Sequence, residues 1–187
     1  MFLEIFKTFI AVFLLGIVIK LLDDEVDGDK VLKAVYSSIY KDISAYKLPY
    51  SLLFVSLTML LQPHLVFSLF TSAYMIGMFD FPNKKLPLKL KSYQEIGIII
   101  VLNLFLIPLE IFFLSFTIIL LIQLIDDLLD YKYDFKYGYK NYVNKFGKGE
   151  IIITSCILLL LCLILSWINT IIILSSNFFI NYLYARI

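Results

Sequence analysis

The sequence predicts an all-α fold, a polytopic transmembrane helical bundle of about seven spans with an amphipathic helix on its cytoplasmic side. Three observations carry that expectation: composition, the rhythm of apolar blocks, and the placement of lysine. The 187 residues are 61% apolar and 17% charged, with a mean hydropathy of +0.90. Soluble domains run about 45–50% apolar and ~25% charged, so this chain has more apolar surface than a core of its own could bury. Disorder, a disulfide scaffold and a collagen-like chain are excluded on the same grounds.

The first apolar block is Phe2–Leu22, a single span that tolerates Glu4, Lys7 and Lys20. It has no small-residue cleavage site and runs into an acidic cluster, so it is not read as a signal peptide. Next, Lys30–Lys47 carries Leu32, Val35, Tyr36, Ile39, Ile43 and Tyr46 on one helical stripe, with Lys30, Lys33, Ser37, Lys41 and Ser44 facing away. A basic amphipathic helix of this kind lies on a membrane surface. The second block, Pro49–Phe79, breaks at Gln62-Pro63-His64, and the third, Ile96–Ile125, at Pro108 and Glu110. The fourth, Ile151–Leu183, breaks near Ser166-Trp167-Ile168-Asn169. Each of the last three is too long for one span of about 20 residues, so each is expected to be a helical hairpin.

Lysines sort with this scheme. The long segments between blocks hold Lys30, Lys33, Lys41 and Lys47, then Lys84, Lys85, Lys89 and Lys91, then Lys132, Lys136, Lys140, Lys145 and Lys148. The turns inside the hairpins hold none. By the positive-inside rule the long segments are cytoplasmic and the N-terminus is outside. The chain reads as one membrane-embedded domain over 1–187, with the lipid bilayer as a partner and no nucleic acid, since the net charge is +1. Cys156 and Cys162 lie six apart in an apolar run and read as buried filler.

The acidic residues are unevenly spread. Asp23-Asp24-Glu25-Val26-Asp27-Gly28-Asp29 and Asp126-Asp127-Leu128-Leu129-Asp130-Tyr131-Lys132-Tyr133-Asp134 together hold nine of the fifteen. Both windows fall where an apolar helix meets the cytoplasmic side. Like charges at helical spacing repel, and carboxylates near hydrocarbon are costly. Asp23, Asp24 and Asp27 project on one helix face, as do Asp126, Asp127, Asp130 and Asp134. Mg²⁺ binds through one or two carboxylates while keeping phosphate oxygens and water, so two such faces across a cavity could hold ions that bridge to one diphosphate. The plain alternative is a pair of solvated turns.

At these residues the chain resembles the UbiA-type intramembrane prenyltransferase family, as a shortened member. Members of that family carry two aspartate-rich motifs at cytoplasmic helix ends and use Mg²⁺ to bind an isoprenyl diphosphate, whose prenyl group passes to a lipophilic acceptor. In the second motif Asp126 takes the usual Asn position, and Asp127, Asp130 and Asp134 the three Asp positions. Gly138 and Gly147 continue the pattern, and Asn141 stands where Thr is usual. In the first motif Asp23, Asp24 and Asp27 fit, while Val31 fills the place of the last Asp. Lys47-Leu48-Pro49-Tyr50-Ser51 and the segment Leu86–Ile96 resemble two further loop elements of the family.

The resemblance implies that Asp24 and Asp27 hold one Mg²⁺ with Asp23 in support, and that Asp127, Asp130 and Asp134 hold another. Asp24, Asp27, Asp127 and Asp130 are the expected catalytic set. Lys47, Lys89 and Lys91 are candidates to meet diphosphate oxygens, Tyr93 and Tyr131 to face an allylic cation, and Asn141 to line the substrate site. The lysines read equally well as topology determinants, and the tyrosines as part of an interfacial belt. His64 is taken as an interface residue, and Glu95 and Glu110 as helix-end groups. The expected activity is Mg²⁺-dependent prenyl transfer to a lipophilic, quinone-type aromatic acceptor, with the active site facing the cytoplasm. The alternatives are a terpene cyclase on the same scaffold, or a non-catalytic paralogue that binds prenyl diphosphate or a divalent cation.

Overall fold

A computed structural model describes residues 2–26, 46–79, 83, 89–138 and 140–186, the side chains of 23–26, 47 and 184–186 excepted. Among them the regular elements are seven helices: α1 (Phe2–Val26), α2 (Lys47–Leu61), α3 (Pro63–Phe79), α4 (Ser92–Leu106), α5 (Leu109–Tyr137), α6 (Tyr142–Phe146) and α7 (Lys148–Arg186). The fold is all-α, as expected. The amphipathic stretch 30–45 lies outside the described residues.

The helix breaks fall where the sequence places them. Pro63 opens α3 at a first-turn position, where its missing N–H goes unneeded. Gln62 before it leaves helical geometry (φ −147°, ψ 73°), as the clash with a following proline ring requires. The same pair recurs at Ile107-Pro108: Ile107 is extended (φ −120°, ψ 139°), and the Pro108 carbonyl accepts from Ile111 and Phe112 to start α5.

The third break carries no proline. Inside α7, Ser166 has φ −163° and ψ 97°. Thr170 Oγ1 donates both to Ser166 O at 2.8 Å and to Cys162 O at 2.9 Å. Eight residues of unbroken helix advance about 12 Å, so the second bond exists only because the axis turns sharply at Ser166.

Phe2–Leu22, Leu109–Tyr137 and Lys148–Leu183 are long and apolar enough to cross a membrane; α2, α3 and α4 are shorter apolar helices. The outer faces are apolar too: Leu60, Phe105, Ile164 and Phe178 are each more than 70% exposed. In water that surface would be strongly unfavourable, whereas in hydrocarbon it carries no cost.

The chain divides into two compact units, Met1–Phe70 with Ile171–Ile187, and Thr71–Thr170. In the first, Ala11, Leu15, Val18 and Leu21 form the buried stripe of α1, at the three- and four-residue steps of one helix face. Helices α1 and α2 pack together. Gln62 Nε2 donates to Thr8 Oγ1 at 3.1 Å, and Thr8 in turn donates to Glu4 O. Phe13 meets Phe179 with ring centroids 5.6 Å apart. Gly16 faces Ile180 so closely that a Cβ there would overlap the Ile180 Cδ1.

In the second unit, polar side chains pair across apolar helices. Asn103, fully buried on α4, donates through Nδ2 to Thr71 Oγ1 and to Ile99 O, both at 3.0 Å. Tyr74 donates to Glu95 Oε2 at 2.6 Å. The core stripe of α5 is Leu114, Ile118, Leu121 and Leu124. One more three-residue step along that face arrives at Asp127.

Candidate functional site

The second acidic cluster occupies the last three turns of α5. Asp127 continues the core stripe and is 6% exposed, whereas Asp130 is exposed and Asp126 and Asp134 are half-buried. Asp127 is 18 residues from the start of α5, about 27 Å along the axis. That is close to the ~30 Å thickness of a hydrocarbon core.

A buried carboxylate needs donors, and the turn after α5 supplies them. The helix ends at Gly138, left-handed at φ 73°, whose N–H returns to Asp134 O. That conformation suits glycine because it lacks a Cβ. The chain then reaches Asn141, which caps α6 by accepting from Val143 N at 2.7 Å. The same side chain donates through Nδ2 to Asp134 Oδ2 and to Asp127 O, both at 2.8 Å. Tyr142 N donates to Asp127 Oδ2 at 2.8 Å. The Asp127 charge thus sits on the first N–H of α6, where exposed backbone donors favour an anion. Gln123 Nε2 approaches Asp127 Oδ1 at 3.4 Å, a weak contact. Below this polar knot, Val143 packs with Leu124 and Ile151, flanked by Leu128, Tyr131, Tyr142 and Leu158.

The structure brings together three of the expected site residues, Asp127, Asp134 and Asn141, and seats Tyr131 in the apolar cluster beneath them. Around the Tyr131 ring lie two ammonium groups, Lys132 Nζ at 5.9 Å and Lys148 Nζ at 5.3 Å from the centroid. Among the described residues, no group of three or more His, Cys, Asp or Glu is gathered as a metal would require. The donor chemistry of the cluster is nevertheless that of a hard divalent cation.

Comparison with protein-family models, with curated proteins and with solved structures returns no match. The chemistry of the site therefore rests on its residues alone.

The remaining candidates are placed separately. Asp23 and Asp24 fall in the last turn of α1, with side chains outside the described residues, as is all of Asp27. Lys47 opens α2, its side chain likewise outside. Lys89 is exposed and left-handed at φ 64°, an uncommon conformation for a residue with a Cβ. Lys91 is the N-cap of α4, its backbone N–H bonded to Gln94 Oε1 at 2.9 Å. Its ammonium lies 5.7 Å from the Tyr93 ring centroid, so two residues expected at a substrate contact each other. Sequence reasoning passed over the Tyr74–Glu95 and Thr71–Asn103 pairs. Their signal was present in Asn103, a lone amide within an apolar run, since such residues in membrane helices usually find a partner.

Proposed function

We propose that the chain is a seven-span membrane protein whose α5 end serves Mg²⁺-dependent transfer of a prenyl group from an isoprenyl diphosphate to a lipophilic acceptor. The lysine-rich segments and the active site would face the cytoplasm. The observation that carries this reading is that one turn holds both carboxylates at the end of a membrane-length helix, Asp134 through Asn141 Nδ2 and Asp127 through Tyr142 N. A carboxylate pinned by N–H donors is held in one rotamer, which is how a site for a highly charged ligand is organised in advance. The exposed Asp130 lies between the two on the same helix face.

In this reading Asp127, Asp130 and Asp134 would hold one Mg²⁺, and Asp24 and Asp27, with Asp23, a second. The metal, when bound, would supply charge neutralisation for the departing diphosphate. Asn141 orients the Asp134 carboxylate and the Tyr142 N–H that of Asp127. Lys47, Lys89 and Lys91 would attract diphosphate oxygens as point charges. The apolar flanks of the helices would exclude water from the reacting carbon.

A second reading draws on the bond from Tyr142 N to Asp127 Oδ2. It gives Asp127 a structural task, as expected of a non-catalytic membrane protein whose aspartates staple a turn. Lipid mass spectrometry separates the two. Cells making the wild-type chain accumulate a prenylated lipid that cells making Asp130→Asn lack, whereas identical lipid profiles would favour the non-catalytic reading. Asp130 is the right position because substitution there spares the buried Asp127–Tyr142 contact.

A further inference from the structure

We propose that the turn from the end of α5 through α6 to the start of α7 is a binding surface for anionic phospholipid headgroups. Over residues 130–150 the sequence holds five lysines against three carboxylates, Asp130, Asp134 and Glu150, and Asp134 is turned to Asn141. Four of the lysines stand on aromatic faces: Lys132 and Lys148 Nζ lie 5.9 and 5.3 Å from the Tyr131 centroid, Lys136 5.4 Å from Tyr137 and Lys145 5.0 Å from Phe146. An ammonium over a ring keeps its charge, and its donors on the side away from the ring are those a phosphodiester oxygen accepts.

Apolar side chains are exposed among these cations, Phe135 at 76% and Phe146 at 54%. Lysine interleaved with exposed aromatics at the end of an apolar helix is the pattern that seats in the headgroup layer. The fold puts it there, because α5 and α7 are both long and apolar enough to cross a membrane and this turn joins them. A free phosphate would gain nothing from Phe135 or Phe146, whereas a lipid gains contact with both and charge pairing with the lysines. The proposal rests on membrane insertion of α5 and α7 and is independent of any enzymatic activity.

The test reconstitutes the full chain in phosphatidylcholine vesicles doped with spin-labelled phosphatidylglycerol or spin-labelled phosphatidylcholine. The wild type is expected to select phosphatidylglycerol. Combining Lys136→Gln, Lys145→Gln and Lys148→Gln should cut that preference ~5-fold or more, the factor that about one lysine near an anionic surface is worth. The matching arginine triple variant keeps it. Equal association of the two lipids with the wild type, or an unchanged preference in the glutamine variant, would overturn the proposal. Should the glutamine variant not fold, photoactivatable phosphatidylglycerol on the wild type decides: label within residues 131–149 supports the assignment, and label confined elsewhere overturns it. Inorganic phosphate at matched ionic strength is expected not to displace the lipid. Displacement would mark a soluble-anion site and end the lipid assignment.

Discussion

The carboxylate of Asp127 accepts the backbone N–H of Tyr142 at 2.8 Å, so the last core position of α5 fixes the start of α6. Asn141 closes the same turn from the other side, with bonds to Asp127 O, Asp134 Oδ2 and Val143 N. The turn after α5 therefore depends on both residues.

Asn141→Ala removes a helix cap, worth ~1 kcal/mol, and a bond to a charged carboxylate, worth about 1.5–3 kcal/mol. The expected loss is about 2.5–4 kcal/mol, read as a lowered unfolding midpoint in detergent. Asp127→Asn keeps a neutral acceptor for Tyr142 N in place of a charged one and is expected to cost about 1 kcal/mol, so the two variants should rank in that order.

Half-buried Thr71 and fully buried Asn103 form a hydrogen-bonded pair between α3 and α4. A double-mutant cycle with Thr71→Val and Asn103→Leu should return a coupling of about 0.6–1.7 kcal/mol, the range for hydrogen bonds between membrane helices. A coupling near zero would mean that the unpaired groups find other partners equally well.

Gly16 lies against the tip of Ile180. Gly16→Ala gains about 1 kcal/mol of helix propensity and needs only a rotation of that flexible tip, so its net effect should be close to zero. Gly16→Phe cannot be relieved in this way and should cost ~1–3 kcal/mol by overpacking. Ile180→Ala should restore part of that loss, and circular dichroism melts of the three variants provide the check.

The proposed seven-span arrangement would place the breaks at Gln62, Pro108 and Ser166 outside and the lysine-rich turns inside. Single cysteines at Gln62 and Ser166, in a background lacking Cys156 and Cys162, should react with an impermeant thiol reagent from the periplasmic or extracellular side. A cysteine at Lys136 should react only after the membrane is permeabilised. Labelling of all three positions from one side would contradict this topology.

Much of the fold could be read from the sequence because its boundaries are set locally. Pro63 and Pro108 end helices by removing an N–H and crowding the preceding residue, effects that need no tertiary contact. Block length requires a break in the fourth block and Ser166-Trp167-Ile168-Asn169 marks its place, but the Thr170–Cys162 bond that stabilises the turn was not foreseeable. Helix α6 escaped detection because five residues show no periodicity and its stability comes from contacts 14 and 15 residues upstream in sequence. The cluster at Asp127, Asp130 and Asp134 was legible as one helix face. That Asp127 extends the Leu114–Leu124 stripe into the core was implicit in the spacing, but its partner is a backbone N–H, which composition and motif spacing do not reveal.

The central claim is tested most directly by incubating the full chain, reconstituted in phosphatidylcholine vesicles, with a radiolabelled isoprenyl diphosphate and measuring Mg²⁺-dependent release of diphosphate. The account predicts release by the wild type that EDTA stops and that Asp130→Asn reduces by at least ~100-fold, the scale on which loss of an electrostatic stabiliser is felt. Release at the same rate by Asp130→Asn, or none from a folded wild type across prenyl chain lengths and quinone-type acceptors, would contradict it.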